Sequence, residues 1–267
     1  MTFKDQTVVI TGASMGIGEA MASAFCQAGA NVVLSSRGIA RAEEARAKLN
    51  VQDRTLAFAC DVRDRKQIEA LAEATLKRFG RIDIWINNAG HGLLDSVATM
   101  EMSACRSMFD TNLFGAIDGM QVAAAIMKQQ KSGIIVNISS VAGCIAVPWM
   151  AAYSSTKHAL NAIGKAARLE LQDHGIHVMT VCPGYIATEF GKNAVRGTDA
   201  RRRQESAGGR ITPDRVARAV LEGCHNRKRE IVVPAKDRIL ISLYQQLPWL
   251  VERVMKKMMK PLPHKQA

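Results

Sequence analysis

Short β-branched runs and longer helical stretches alternate along most of this chain, and that alternation leaves few architectures open. Val8-Val9-Ile10, Asn31–Leu34, Thr55–Ala59, Ile82–Ile86, Gly133–Ile138, Ile176–Val181 and Glu230–Val233 read as strands. Helices are expected over Gly16–Ala28, Ile39–Leu49, Lys66–Phe79, Ser103–Gln129 and Tyr153–Leu171. Strands that are apolar almost throughout are buried on both faces. Their alternation with helices implies an α/β fold: a doubly wound, parallel, seven-stranded sheet with helices on both faces. The chain has 267 residues, 48% of them hydrophobic, which suffices for one large domain. No Pro- or Gly-rich linker and no internal repeat divides it. The expected layout is a single domain over residues 1–237 and a helical tail over 238–267.

Six cysteines (Cys26, Cys60, Cys105, Cys144, Cys182, Cys224) form no Cys-x-x-Cys pair. They read as reduced core residues, not as a disulfide or metal framework, and no metal site is expected. Residues 1–7 lack the apolar stretch of a signal peptide, and no run reaches the ~18 apolar residues that would span a bilayer. A cytoplasmic protein is the expectation, with peripheral membrane contact left open. Charge is unevenly spread. Residues 1–191 hold 18 basic and 17 acidic side chains, a net of +1, whereas residues 192–267 hold 18 and 7, a net of +11.

Thr11-Gly12-Ala13-Ser14-Met15-Gly16-Ile17-Gly18 follows the first strand and opens the first helix. Glycines there let the backbone turn tightly and approach a pyrophosphate. The helix N-terminus adds free N–H groups and partial positive charge. Gly12, Ser14, Met15, Gly16, Ile17 and Gly18 are therefore candidate dinucleotide-binding positions. The end of the second strand separates NAD from NADP. A carboxylate there would accept hydrogen bonds from the ribose 2′-hydroxyl. This chain reads Leu34-Ser35-Ser36-Arg37 instead, and Ser36 and Arg37 can bind a 2′-phosphate. NADP(H) is the expected cofactor. Met15 is not basic, so a second common phosphate anchor is missing.

Tyr153-Ser-Ser-Thr-Lys157 places a phenol and an ammonium one helical turn apart on one face. A free phenol, with a pKa near ~10, is a poor base at neutral pH. A cation within about 5 Å would lower that value and make the phenol an acid–base catalyst. Ser140, at the end of the fifth strand, would face the ligand crevice and hold a substrate oxygen against the phenol. Asn112, buried in mid-helix, needs partners, and a water leading toward Lys157 would serve.

These motifs resemble the short-chain dehydrogenase/reductase family of about 250 residues with a Tyr-x-x-x-Lys pair. The likeness spans roughly residues 5–235. It rests on the glycine loop, Asp61-Val62, Asn87-Asn88-Ala89-Gly90, Asn112, Ser140, Tyr153, Lys157 and Pro183-Gly184, with a 13-residue step from Ser140 to Tyr153. The resemblance implies a Rossmann-type fold and assigns roles. Tyr153 is the acid/base, and Lys157 holds the nicotinamide ribose and tunes Tyr153. Ser140 orients the substrate carbonyl, and Asn112 holds a relay water. It further implies that Asp61 and Val62 contact the adenine, and Asn88, Ala89 and Gly90 the adenosine-side ribose. Ile186 and Thr188, after Pro183-Gly184, contact the carboxamide and phosphates.

Residues 185–211 fall where that family carries its substrate lid, here with Arg196, Arg201, Arg202, Arg203 and Arg210. Those arginines are either a solvated lid surface or an attractor for an acidic substrate. Beyond the lid, Leu240, Leu243, Tyr244, Leu247, Leu250, Val251, Val254 and Met258 recur at mostly helical spacing, and Pro248 is expected to break the stretch in two. This tail either packs on the subunit and shields an apolar pocket or docks on an anionic membrane; nucleic-acid binding lacks a supporting motif. The function expected is hydride transfer between NADP(H) and a carbonyl or secondary alcohol, reducing a hydrophobic ketone (steroid-like, retinoid-like or acyl). A 3-oxoacyl-thioester reductase is the alternative within the enzyme class. A non-catalytic NADP-binding regulator or membrane-surface protein is the alternative outside it. A homodimer or homotetramer is expected through the two long helices flanking the fifth strand.

Overall fold

The computed structural model describes residues 1–186, 194–197 and 211–258. Seven parallel strands form one sheet: β1 (Thr7–Ile10), β2 (Asn31–Ser36), β3 (Thr55–Ala59), β4 (Ile84–Asn87), β6 (Gly133–Ile138), β7 (Ile176–Pro183) and β9 (Glu230–Val233). Their order is β3-β2-β1-β4-β6-β7-β9. The chain winds outward from β1 in one direction and from β4 in the other. The crevice beyond the C-terminal ends of β1 and β4 is thus the switch point where ligands bind in such sheets.

Alternate residues of each strand feed separate cores. Val8 and Ile10 pack with Met21 and Phe25 of α1 (Gly16–Gln27) and with Val216 and Val220 of α7 (Pro213–His225). Val9 faces the opposite side. It joins Ile68 and Leu71 of α3 (Arg65–Phe79), Met120 and Met127 of α5 (Gly115–Gln130), and Leu160 of α6 (Ala151–Leu171). The period-2 geometry of a strand produces this division. Helix ends follow local chemistry. Asp64 caps α3 by accepting from the Lys66 N–H at 3.0 Å, and Gly80 ends it in the left-handed conformation. Pro213 opens α7, where its missing N–H costs nothing. The remaining early helix is α2 (Ile39–Ala47).

Two expectations need correction. The single helix expected over Ser103–Gln129 is α4 (Met102–Phe109), a wider π-helical turn at Asp110–Phe114, then α5. Such turns arise where a side chain must leave the regular ladder, and Asn112 lies inside this one. Ser140 does not end β6. The strand stops at Ile138, and Ser140 caps a short 3-10 turn, Val141–Gly143, by accepting from the Ala142 N–H at 3.1 Å. A two-stranded pair, β5 (Leu93–Leu94) with β8 (Val195–Arg196), is too short to have carried a sequence pattern.

The tail folds as two helices, α8 (Asp237–Gln246) and α9 (Pro248–Met258), with the break at Pro248 as expected. Ile241 and Tyr244 of α8 pack on Val141, Ile145, Cys182 and Val232. All six cysteines are free, and all but half-buried Cys144 are buried. Among the described residues no helix is long and apolar enough to cross a membrane, and no cluster of metal-ligating side chains occurs.

Candidate active site

The loop after β1 and the strand end of β4 are tied together by one hydroxyl. Thr11 Oγ1 donates to Ile86 O (3.2 Å) and accepts from the N–H groups of Asn88 (3.0 Å) and Ala89 (3.1 Å). Gly12 and Gly16 adopt left-handed φ of 65° and 60°, a conformation that glycine enters without strain. No side chain caps the start of α1, whose preceding residue, Met15, is extended and half-exposed. A two-glycine turn into an uncapped helix N-terminus fits a dinucleotide pyrophosphate, and the residues from Ser14 to Gly18 would hold it. When bound, a nicotinamide dinucleotide supplies or accepts the hydride.

Several expected contacts fall differently. The Asn88 side chain donates to Thr11 O and Gly12 O, each at 2.9 Å, so it braces the glycine loop. Ser36 Oγ donates to Gly38 O at 2.7 Å. Its hydroxyl hydrogen is engaged inside the turn. Arg37 is exposed at the C-terminal end of β2. It lies close enough to Asp61 to help hold that carboxyl below its usual range, although a chelating Arg63 guanidinium is the larger cause. Val62 is buried and packs against Gly115. Asp61 remains at the mouth of the crevice, neutralised by Arg63.

The catalytic candidates meet at the C-terminal edge of β6 and β7. Tyr153 and Lys157 lie in the first two turns of α6, and both are buried. A hydrogen bond joins the Ser140 hydroxyl to the Tyr153 phenol. Ser140 Oγ is also 3.3 Å from Pro183 O, which ties it to the end of β7. Lys157 Nζ donates to Ile138 O at 2.9 Å and stands 5.7 Å from the centre of the Tyr153 ring. A methyl group built on Gly90 would come within 3.8 Å of that Nζ, so the ammonium faces the glycine-rich end of β4. The three expected partners are thus together, with the dinucleotide loop opposite.

Their acidities differ from the expectation. Burial pushes the phenol of Tyr153 up to about 12, with the Ser140 hydrogen bond opposing it only in part. The same burial pulls the Lys157 ammonium down to about 8. Desolvation disfavours the charged form of each. Burial thus favours the neutral phenol, against the lowering expected from Lys157. A neutral phenol beside Ser140 is the state from which a proton can be given to a developing alkoxide.

The Asn112 side chain is engaged on the segment after β4. Its Oδ1 accepts from the His91 N–H (2.9 Å) and its Nδ2 donates to His91 O (2.9 Å), with a longer contact to Thr156 Oγ1 (3.4 Å). Both ends of the amide are spent on the segment after β4, so Asn112 is a clamp that fixes Gly90 and His91 against α6. The π-helical turn gives it the reach to do so. Burial pushes the His91 imidazole below its usual value, opposed by backbone hydrogen bonds at Gly92 and Ser107 and helped weakly by Arg37 and Arg63. Thr11, Arg63 and His91 were not singled out from the sequence. Only Thr11 had a signal, a hydroxyl beside the first loop glycine.

On the substrate side, Pro183 ends β7 and the Gly184 N–H donates to Val233 O at 2.7 Å. Ile186 pairs with Ile211 in an isolated parallel bridge. Thr188, Arg201, Arg202, Arg203 and Arg210 lie outside the described residues.

A buried tyrosine, a lysine one turn on, a serine touching the phenol and an open glycine turn form one constellation at the switch point. The short chain dehydrogenase family profile matches residues 6–199. The chain belongs to the short-chain dehydrogenase/reductase family. It is 34% identical over 240 residues to dehydrogenase/reductase SDR family member 7B of Xenopus tropicalis, covering 86% of this chain and 77% of the relative. The ketoacyl reductase HetN of Nostoc is 32% identical over 260 residues, covering 95% and 89%. Among solved structures, 3-ketoacyl-(acyl-carrier-protein) reductase from Brucella melitensis, complexed with NADH, superposes with a TM-score of 0.79 at 27% identity, covering 87% of this chain and 98% of that one. A Rossmann-type short-chain dehydrogenase/reductase is an oxidoreductase, and a nicotinamide dinucleotide is the cofactor class this fold and loop accommodate.

Proposed function

We propose that this short-chain dehydrogenase/reductase uses NADPH to reduce the carbonyl of a hydrophobic ketone to a secondary alcohol. The observation that carries the chemistry is the hydrogen-bonded Ser140–Tyr153 pair beside buried Lys157. Ser140 orients the carbonyl oxygen. Tyr153 gives its proton to that oxygen as the carbonyl carbon is reduced. Lys157 stabilises the phenolate left behind and is positioned for the ribose hydroxyls by its bond to Ile138 O. An apolar substrate is supported by the apolar residues that follow Ser140, Val141 and Ile145, which pack with Ile241 and Tyr244 of α8.

A second reading, reduction of a 3-oxoacyl thioester, is favoured by the names of the Nostoc and Brucella relatives. A panel of ketones and acyl thioesters graded by size and polarity separates the two. Homo-oligomerisation through α5 and α6 belongs to the same proposal, supported by exposed Phe114 and Leu169 beside and on these helices.

The preference for NADPH is supported by the absence of a carboxylate at the end of β2 and by exposed Arg37. Hydrogen bonds to charged groups contribute about 1.5–3 kcal/mol, which converts to about 10–150-fold in affinity. Arg37→Ala is expected to raise the KM for NADPH by that factor and leave KM for NADH nearly unchanged. A wild-type enzyme that prefers NADH, or an Arg37→Ala variant with unaltered NADPH kinetics, contradicts the cofactor assignment.

A further inference from the structure

We propose that the α8–α9 hairpin docks the enzyme on an anionic lipid surface. Ile241 and Tyr244 turn inward, and Val251 is buried, so both helices are anchored to the body by one side. The other side is apolar and uncovered. Ile239 and Trp249 are 73% and 60% exposed, and Leu240, Leu243, Leu247, Leu250 and Val254 are exposed with them. On α8 and its C-cap, Ile239, Leu240, Leu243 and Leu247 share one helix face, and on α9 Trp249, Leu250 and Val254 are exposed together with Arg253 and Lys257. A patch of this kind marks an interaction site.

The charge around the patch selects the occupant. Arg253, Lys256 and Lys257 are exposed on α9, and Arg238 opens α8 next to Ile239. Arg238 also lines a surface cleft with Lys165, Arg168, Lys228 and Arg229, whose one acidic neighbour, Glu230, lies near Lys165 at 3.9 Å. Exposed apolar side chains that include a tryptophan, interspersed with lysine and arginine and one acidic side chain, Glu252, suit the headgroup boundary of a bilayer. There apolar side chains enter the acyl region, the indole sits at the interface and cations meet lipid phosphates. A second copy of this chain would bring the same cations face to face across a self-complementary contact. The helices are too short and polar to cross a bilayer, so the contact is peripheral. Because Ile241 and Tyr244 of the same hairpin pack on Val141, the residue after Ser140, docking would bring the substrate side close to the lipid in which an apolar ketone dissolves.

The test uses the full chain with vesicles of phosphatidylcholine alone or mixed with phosphatidylglycerol. Co-flotation with the anionic vesicles is expected, with loss at high salt and little binding to neutral ones. Each surface cation contributes about 1 kcal/mol near such a membrane. Lys256→Gln/Lys257→Gln is therefore expected to weaken binding by about tenfold or more. Trp249→Ser/Leu250→Ser should abolish binding and leave turnover of a water-soluble ketone unchanged, which separates this proposal from the catalytic one. Tryptophan emission should shift to the blue on binding, and the shift should be missing in Trp249→Phe, which separates Trp249 from buried Trp85 and half-buried Trp149. No flotation with anionic vesicles, equal binding to neutral vesicles, or sedimentation showing that the Trp249/Leu250 surface is consumed in a dimer would overturn the proposal.

Discussion

Tyr153→Phe is expected to reduce turnover by about 10²–10⁴-fold, the range that a positioned proton donor supplies, while NADPH binding stays within about twofold. The substitution removes one oxygen and retains the ring that packs in the Leu93, Met108 and Ala142 cluster. The fold and the dinucleotide loop, which Tyr153 does not support, should be intact. Steady-state kinetics with a soluble ketone give the first quantity, and quenching of protein fluorescence by NADPH gives the second. A variant that retains a tenth or more of wild-type turnover would remove Tyr153 from the mechanism. Ser140→Ala should give a smaller loss of kcat/KM, because the phenol remains and only its hydrogen-bonded partner is lost.

The second large effect belongs to the glycine loop. A methyl group on Gly18 would stand 2.7 Å from Asn88 Nδ2 and 2.9 Å from the Ala13 Cα, and closer still to Gly12 O. Two of those neighbours are backbone and cannot swing aside. The third is the amide that holds Thr11 O and Gly12 O in place. Overpacking of this kind costs about 1–3 kcal/mol. Gly18→Ala is thus expected to lower the melting temperature and weaken NADPH binding by about 5–150-fold. Gly38→Ala is the control, since a methyl there meets nothing within 4 Å. Equal behaviour of the two variants would show that the loop does not need the close approach seen between α1 and the end of β4.

What could be read from the chain and what could not follow a physical division. Strand and helix identities were legible because near-continuous Val and Ile runs, such as Val8-Val9-Ile10, admit one arrangement when helices separate them. The clustering of Ser140, Tyr153 and Lys157 was legible because two of them share a helix face and the third follows a strand whose C-terminal end must face the crevice. Hydrogen-bond accounting was not legible. Asn112, Asn88 and Ser36 each spend polar atoms on backbone groups far away in sequence or across a tight turn. Asn112 reaches His91 only because the π-helical turn at Asp110–Phe114 changes its direction, and nothing in Ser103–Gln129 distinguishes that turn from regular helix. The acidity of Tyr153 failed for a related reason. Spacing shows that a cation is near, but desolvation depends on how completely other elements cover the pair, and here they cover it almost entirely.

The most direct test is a carbon-13 NMR titration of tyrosine labelled at Cζ, the atom that reports phenol ionisation. The chain has three tyrosines, Tyr153, Tyr185 and Tyr244, so Tyr153→Phe identifies the resonance by subtraction. For an acid held by burial, the phenol binds its proton more tightly in the folded chain than in the unfolded one. Its resonance should therefore remain that of a neutral phenol as pH rises past the ordinary value near ~10 and change only toward about 12. A Tyr153 resonance that moves at or below pH ~10 would contradict the central claim that burial holds the phenol in its protonated form above the ordinary range.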